Sequence, residues 1–183
     1  LHSFPTRRSS DLESLPFTDP VHKVTIMPRG RALGLTWQLP ERDRISMYKD
    51  QMLSQLSILF GGRIAEDIFV GRISTGASND FERATQMARE MVTRYGMSDK
   101  MGVMVYAENE GEVFLGRSVT RSQNISEKTQ QDIDAEIRRI LDEQYQVAYK
   151  ILDENRDKME TMCKALMDWE TIDRDQVLEI MAG

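Results

Sequence analysis

Residues 60–80 read Phe-Gly-Gly-Arg-Ile-Ala-Glu-Asp-Ile-Phe-Val-Gly-Arg-Ile-Ser-Thr-Gly-Ala-Ser-Asn-Asp, and they join two helical patterns. Upstream, Met52, Leu53, Leu56, Leu59, Phe60, Ile64, Ala65 and Ile68 recur at intervals of three and four. That spacing gathers apolar side chains on one helix face and predicts a helix from about Ser46 to Phe69. Gly61-Gly62 inside the run costs about 1 kcal/mol per glycine relative to alanine, so a close approach to the backbone is expected there. Downstream, Ser78 reads as an N-cap, and Ala84, Met87, Ala88, Met91, Val92 and Tyr95 form a second stripe ending at Gly96. The join leaves two carboxylates, Glu66 and Asp80, at the edges of apolar faces. An acid in such a place needs a partner, and a metal ion is one candidate.

Outward from this stretch, the chain reads as a small sheet and many helices. Val21–Met27 is β-branched and stops at Pro28, which cannot donate a ladder hydrogen bond. Leu33–Leu39 alternates and is expected to return beside it as a hairpin. Gly102–Tyr106 and Glu112–Leu115 are expected to make a second hairpin around Asn109-Glu110-Gly111. Ile133, Ile137, Ile140, Ala148 and Leu152 mark one long amphipathic helix, and Met159–Met167 a second. Asp173-Arg174-Asp175-Gln176 has the form of a capping box before a last short helix. The fold class is therefore α+β, predominantly α-helical, with small antiparallel hairpins followed by a helical bundle.

Composition limits the function. The formal charge of −6 argues against nucleic acid as the main partner. The one cysteine, Cys163, excludes an internal disulfide and a multi-cysteine zinc site. Its place among Met159, Met162 and Leu166 suits a buried structural thiol, and the methionines suit core filling. No apolar run approaches the roughly 20 residues of a membrane span, so these residues are expected to be soluble by themselves. No glycine-rich loop ending in Lys-Ser/Thr is present to cradle nucleotide phosphates.

A hydrolytic zinc site needs three protein ligands and an open position for water. Two ligands commonly come from His-Glu-x-x-His, in which the Glu is the general base. The two histidines of this chain are His2 and His22, so no such motif occurs. His22 reads as an ordinary strand residue. From the residues alone, the favoured reading of Asp80 is that it merely complements a helix dipole, worth about 0.3–1 kcal/mol. Glu66 beside Asp67 could be a solvated pair.

The stretch Asp19–Gly34 resembles the FtsH family of membrane-anchored, ATP-dependent zinc metalloproteases nearly residue for residue. So do Phe60–Asp67, Ser74–Asp80, Met97–Gly102, Gly111–Gly116 and Glu170–Asp173. The resemblance runs from about Glu13 to the C-terminus and implies the family's peptidase domain. By it, Asp80 matches the third zinc ligand, and Glu66 an acid near the metal that orients a ligand histidine. The family's His-Glu-x-x-His would begin at Phe4, with its base at Pro5 and second histidine at Arg8. Those slots hold Phe4–Leu12, which resembles a translated sequencing adapter. Residues 1–12 are accordingly read as a non-native tail, and 13–183 as a peptidase domain without its metal helix.

The expectations that follow are an incomplete Zn²⁺ site, no general base within the chain, and no activity for the chain alone. The resemblance further implies a homo-hexameric parent acting on unfolded or membrane proteins. ATP and Mg²⁺ would belong to a separate ATPase module. The parent would sit in the bacterial inner membrane, or an organellar one, through an N-terminal anchor, with this domain cytoplasmic. The strand bearing Val21, Val24 and Ile26 is expected to offer an edge to which extended substrate could add, unless Leu33–Leu39 and a helix cover it. The alternative of another class is a non-enzymatic helical oligomerisation module.

Overall fold

The computed structural model describes residues 15, 20–27, 35–38, 46–106 and 125–183. The non-native reading of residues 1–12 and the Glu112–Leu115 half of the second hairpin lie outside them. The apolar spacing around Leu56 becomes α1, Lys49–Ala65, which runs without a break into a π-helical turn, Glu66–Val70. At its start Gln51 Oε1 accepts the Tyr48 N–H at 3.0 Å. At the far end Gly71, in the left-handed region at φ 65°, donates its N–H to the Glu66 carbonyl at 3.0 Å and closes the wider turn. Of the Gly61-Gly62 pair, Gly61 is buried, while a Cβ at Gly62 would meet nothing within 4 Å among the described residues.

Helix α2, Ser78–Thr93, is entered through a 3-10 turn, Thr75–Ala77. The capping serine is Ser74, whose side chain accepts from the Gly76 N–H, and not Ser78, which already lies within the helix. Most of the stripe beginning at Ala84 faces the core, with Ala84, Ala88, Met91 and Val92 buried and Met87 packed against them, but Tyr95 lies beyond the helix and is exposed. After α2 the chain turns at Gly96, φ 60°, where an added Cβ would lie 3.1 Å from the Val103 Cα.

Gly102–Tyr106 forms no strand. Its end folds back instead: the Tyr106 N–H donates to the Thr93 carbonyl at 2.7 Å, and the Tyr106 hydroxyl to the Met101 carbonyl at 3.1 Å. Helix α3, Glu127–Glu154, starts at Ser126, whose Oγ accepts the Thr129 N–H at 3.2 Å. Helix α4 is Arg156–Trp169 and α5 is Arg174–Ala182, the latter with the Asp173/Gln176 capping box read from sequence.

The sheet corrects one expectation. Strands β1, Val21–Thr25, and β2, Leu35–Gln38, pair antiparallel, as the sequence suggests. A third strand, β3, Thr171–Asp173, pairs antiparallel with the other side of β1, giving the order β2-β1-β3. The strand carrying Val21, Val24 and Ile26 is thus central and not an edge. Val21 and Val24 are fully buried, and the Ile26 N–H donates to the Glu170 carbonyl at 2.9 Å. Glu170 itself is left-handed at φ 59°, the reversal that brings the chain from α4 into β3.

Two cores result. The larger joins α1, α2 and α3 through residues such as Leu56, Leu59, Ile64, Met91, Ile133 and Leu152. The smaller seals the sheet with Val21, Val24, Ile58, Met162, Leu166 and Ile172. Cys163 is half-buried, where a fully buried thiol was expected.

A polar clamp ties the turn after α2 to α3. Glu136 is buried, and its Oε1 accepts from Ser98 Oγ at 2.7 Å and from Arg139 Nη2 at 2.8 Å. Its Oε2 accepts from Arg139 Nε at 2.9 Å. These bonds, Arg139 first, outweigh burial and lower the carboxyl pKa to about 2. The Arg139 guanidinium is pushed further up, by Glu136 first and then by Glu143.

Candidate functional site

Residues 66–80 fold into one local unit. The π-turn places Glu66 inside the molecule, 7 % exposed, while Asp67 beside it faces solvent. A solvated Glu66–Asp67 pair is therefore not what forms. π-turns inserted in helices are rare and frequently found at functional sites. The Glu66 carboxylate grips the following loop at Ser74. Ser74 Oγ donates to Oε1 at 2.8 Å, and the Ser74 N–H donates to Oε2 at 3.2 Å. The same Ser74 Oγ accepts the Gly76 N–H at 3.2 Å. Both carboxylate oxygens are thus engaged by one serine, which also starts the turn into α2.

Asp80 follows in the first turn of α2, half-buried. The next residue, Phe81, packs its ring against Phe60 of α1 with centroids 6.0 Å apart, and Phe60 meets Tyr145 of α3 edge-on at 5.6 Å. The turn bearing Asp80 is held by an aromatic contact on one side and by the buried serine–glutamate clamp before it. Buried Ala77 lies between the two.

Of the residues singled out in the sequence, Glu66 and the turn leading to Asp80 are brought together. Val21 and Val24 belong to the core of the sheet instead. His22 is exposed on β1, where the ladder is irregular between Val21 and Lys23. Ser74 is the residue the sequence reading missed. Its signal was present: a serine two residues before glycine, ahead of a helix, offers its hydroxyl to the backbone.

Zinc accepts carboxylate oxygen, and Asp80 has the right chemistry for one ligand. One donor does not make a site. Among the described residues, no group of three or more His, Cys, Asp or Glu side chains could hold a metal ion. They do not by themselves fit a complete zinc centre. No helix among the described residues is long and apolar enough to cross a membrane.

A helical domain closed by a small sheet thus carries a buried acid, Glu66, bonded to the turn that leads to a second acid, Asp80. The chain belongs to peptidase family M41, whose pattern matches residues 13–180. It is 63% identical over 169 residues to the ATP-dependent zinc metalloprotease FtsH of Cupriavidus metallidurans, covering 92% of this chain and 26% of that protein. The FtsH proteins of Photobacterium profundum and Magnetococcus marinus are 54% and 50% identical over 170 residues each. Those matches cover 92% and 93% of this chain, and 24% and 25% of the relatives. The chain spans about a quarter of the length of the curated relatives it matches.

Proposed function

We propose that this chain is the peptidase part of an ATP-dependent zinc metalloendopeptidase, and that Asp80 is its metal-ligating carboxylate. The remaining ligands, two histidines, and the glutamate that activates water belong to a His-Glu-x-x-His helix that these 183 residues do not contain. When bound, the metal would polarise the scissile carbonyl and lower the pKa of a bound water. This chain's own contribution is to present Asp80 from a helix start that is held in place. The parent acts on unfolded or membrane proteins as a membrane-anchored homo-hexamer, with this domain on the cytoplasmic side and ATP and Mg²⁺ in a separate module.

The observation that carries the reading is the family match across residues 13–180, which includes Glu66, Ser74 and Asp80. The experiment has two arms. The 183-residue chain supplied with Zn²⁺ should not degrade casein, and chelator-sensitive cleavage by it would contradict the proposal. A variant with His-Glu-x-x-His at residues 4–8 should retain zinc through dialysis, measured by elemental analysis, and Asp80→Asn should lose it. Equal retention in the Asp80→Asn protein removes Asp80 from the ligand set.

A further inference from the structure

We infer that Ser74 is a positioning residue, whose hydroxyl and N–H lock the start of α2 to the buried Glu66 carboxylate and so set where Asp80 is presented. The functional sense of this rests on Asp80 being the metal-ligating carboxylate; the mechanical claim does not.

Three bonds run through one side chain and its own amide. Glu66 Oε1 and Oε2 accept from Ser74 Oγ and N, and Ser74 Oγ accepts from the Gly76 N–H. Glu66 is buried on a π-turn continuous with α1, the helix that carries much of the larger core, so it offers an anchor on that helix. Ser74 lies six residues before Asp80, with only the 3-10 turn and two residues of helix between them. Gly76 fits the same arrangement, since an added Cβ would come within 3.2 Å of Ser74 Oγ and 3.9 Å of Glu66 Oε1. The Phe60–Phe81 contact keeps the helix against α1 by apolar burial, which is tolerant of direction. Hydrogen bonds to a carboxyl group are directional, weakening steeply as they bend. The aromatic contact therefore holds the helix, while the serine aims it.

The test uses the 183-residue chain in a Cys163→Ser background, with nitroxide labels at exposed positions. One pair, Asn79→Cys with Gln146→Cys, reports the start of α2 against α3. A second pair, Arg94→Cys with Gln146→Cys, reports its end. Ser74→Ala should broaden the distance distribution of the first pair and leave the second unchanged. The Gly76 amide should exchange roughly tenfold faster or more once its acceptor is gone. Ser74→Thr, which keeps the hydroxyl, should restore both readouts. Asp80→Asn should leave the first pair narrow, so a failure of the metal-ligand reading leaves this result standing. A first-pair distribution in Ser74→Ala as narrow as in the parent overturns the inference. Equal broadening of both pairs, which means general loosening, overturns it too, as does a failure of Ser74→Thr to rescue.

Discussion

Replacing Glu136 with glutamine changes one atom and tests how firmly the turn after α2 is fastened to α3. In the folded chain this carboxyl titrates at about 2 against an ordinary 4.5, chiefly because Arg139 and then Ser98 hydrogen-bond its charged form. At about 1.4 kcal/mol per pH unit, that difference contributes about 3 kcal/mol at neutral pH. Losing one partner of a buried ion pair typically costs about 3–5 kcal/mol. The lower figure is expected here, because the Arg139 side chain is 50% exposed and still pairs with Glu143, so no buried cation is stranded. Ser98 keeps an amide oxygen to donate to. Glu136→Gln should therefore lose about 2–3 kcal/mol in urea unfolding at pH 7, a drop in Tm of roughly 4–12 °C for a domain of this size. A folded-state pKa below the unfolded one means stabilisation that is complete above about pH 4.5 and disappears as pH falls through about 2. The difference between parent and variant should accordingly shrink to about 1 kcal/mol at pH 3. A variant within about 0.5 kcal/mol of the parent at pH 7, or one equally impaired at both pH values, would refute the reasoning.

Other substitutions probe separate links. Gly96→Ala meets both a left-handed backbone and the Val103 Cα at 3.1 Å, and should cost about 2 kcal/mol or more in urea unfolding. Gly102→Ala, at φ 73° with open space around it, should cost only about 1 kcal/mol by the same measure. Asp173→Ala removes the N-cap of α5 and should lower stability by about 1 kcal/mol, read by thermal unfolding. Leu56→Ala, at the centre of the larger core, should cost about 3–5 kcal/mol with the helical circular dichroism signal retained below the transition.

What was legible in the sequence was what is local. The stripes on α1, α2, α3 and α4 are set by side chains three and four residues apart, and the Asp173 capping box by residues within one turn. Strand β3 was not legible. Three residues, Thr171–Asp173, have no periodicity of their own, and their partner lies nearly the whole chain away. Without β3, β1 reads as an edge; with it, β1 is the centre. Gly102–Tyr106 looked like a strand because its composition is right, yet no strand partner is found for it among the described residues, and Tyr106 closes back on Thr93. Within the site, Asp80 and Glu66 stand out as acids beside apolar faces. The link between them, Ser74, depends on a π-turn rotating Glu66 inward, and an i,i+4 pattern does not announce a five-residue turn.

The pairing of β1 with β3 also governs how this domain can come into being. Residues 23–25 find their ladder partners at 171–173, so the sheet is completed only when almost all of the domain is available. During vectorial synthesis α1 and α2 can pack early, from contacts close in sequence, while α3 joins them only from a distance, as in the Ser57–Gln144 bond, and β1 waits with one side unpaired. Val21 and Val24, fully buried in the finished protein, are in that interval an apolar strand without a cover. Until residues 171–173 arrive, that open side is where β1 can mispair with a neighbouring chain. The docking of β3 onto β1, with α4 and α5 on either side of it in the chain, is what closes that side.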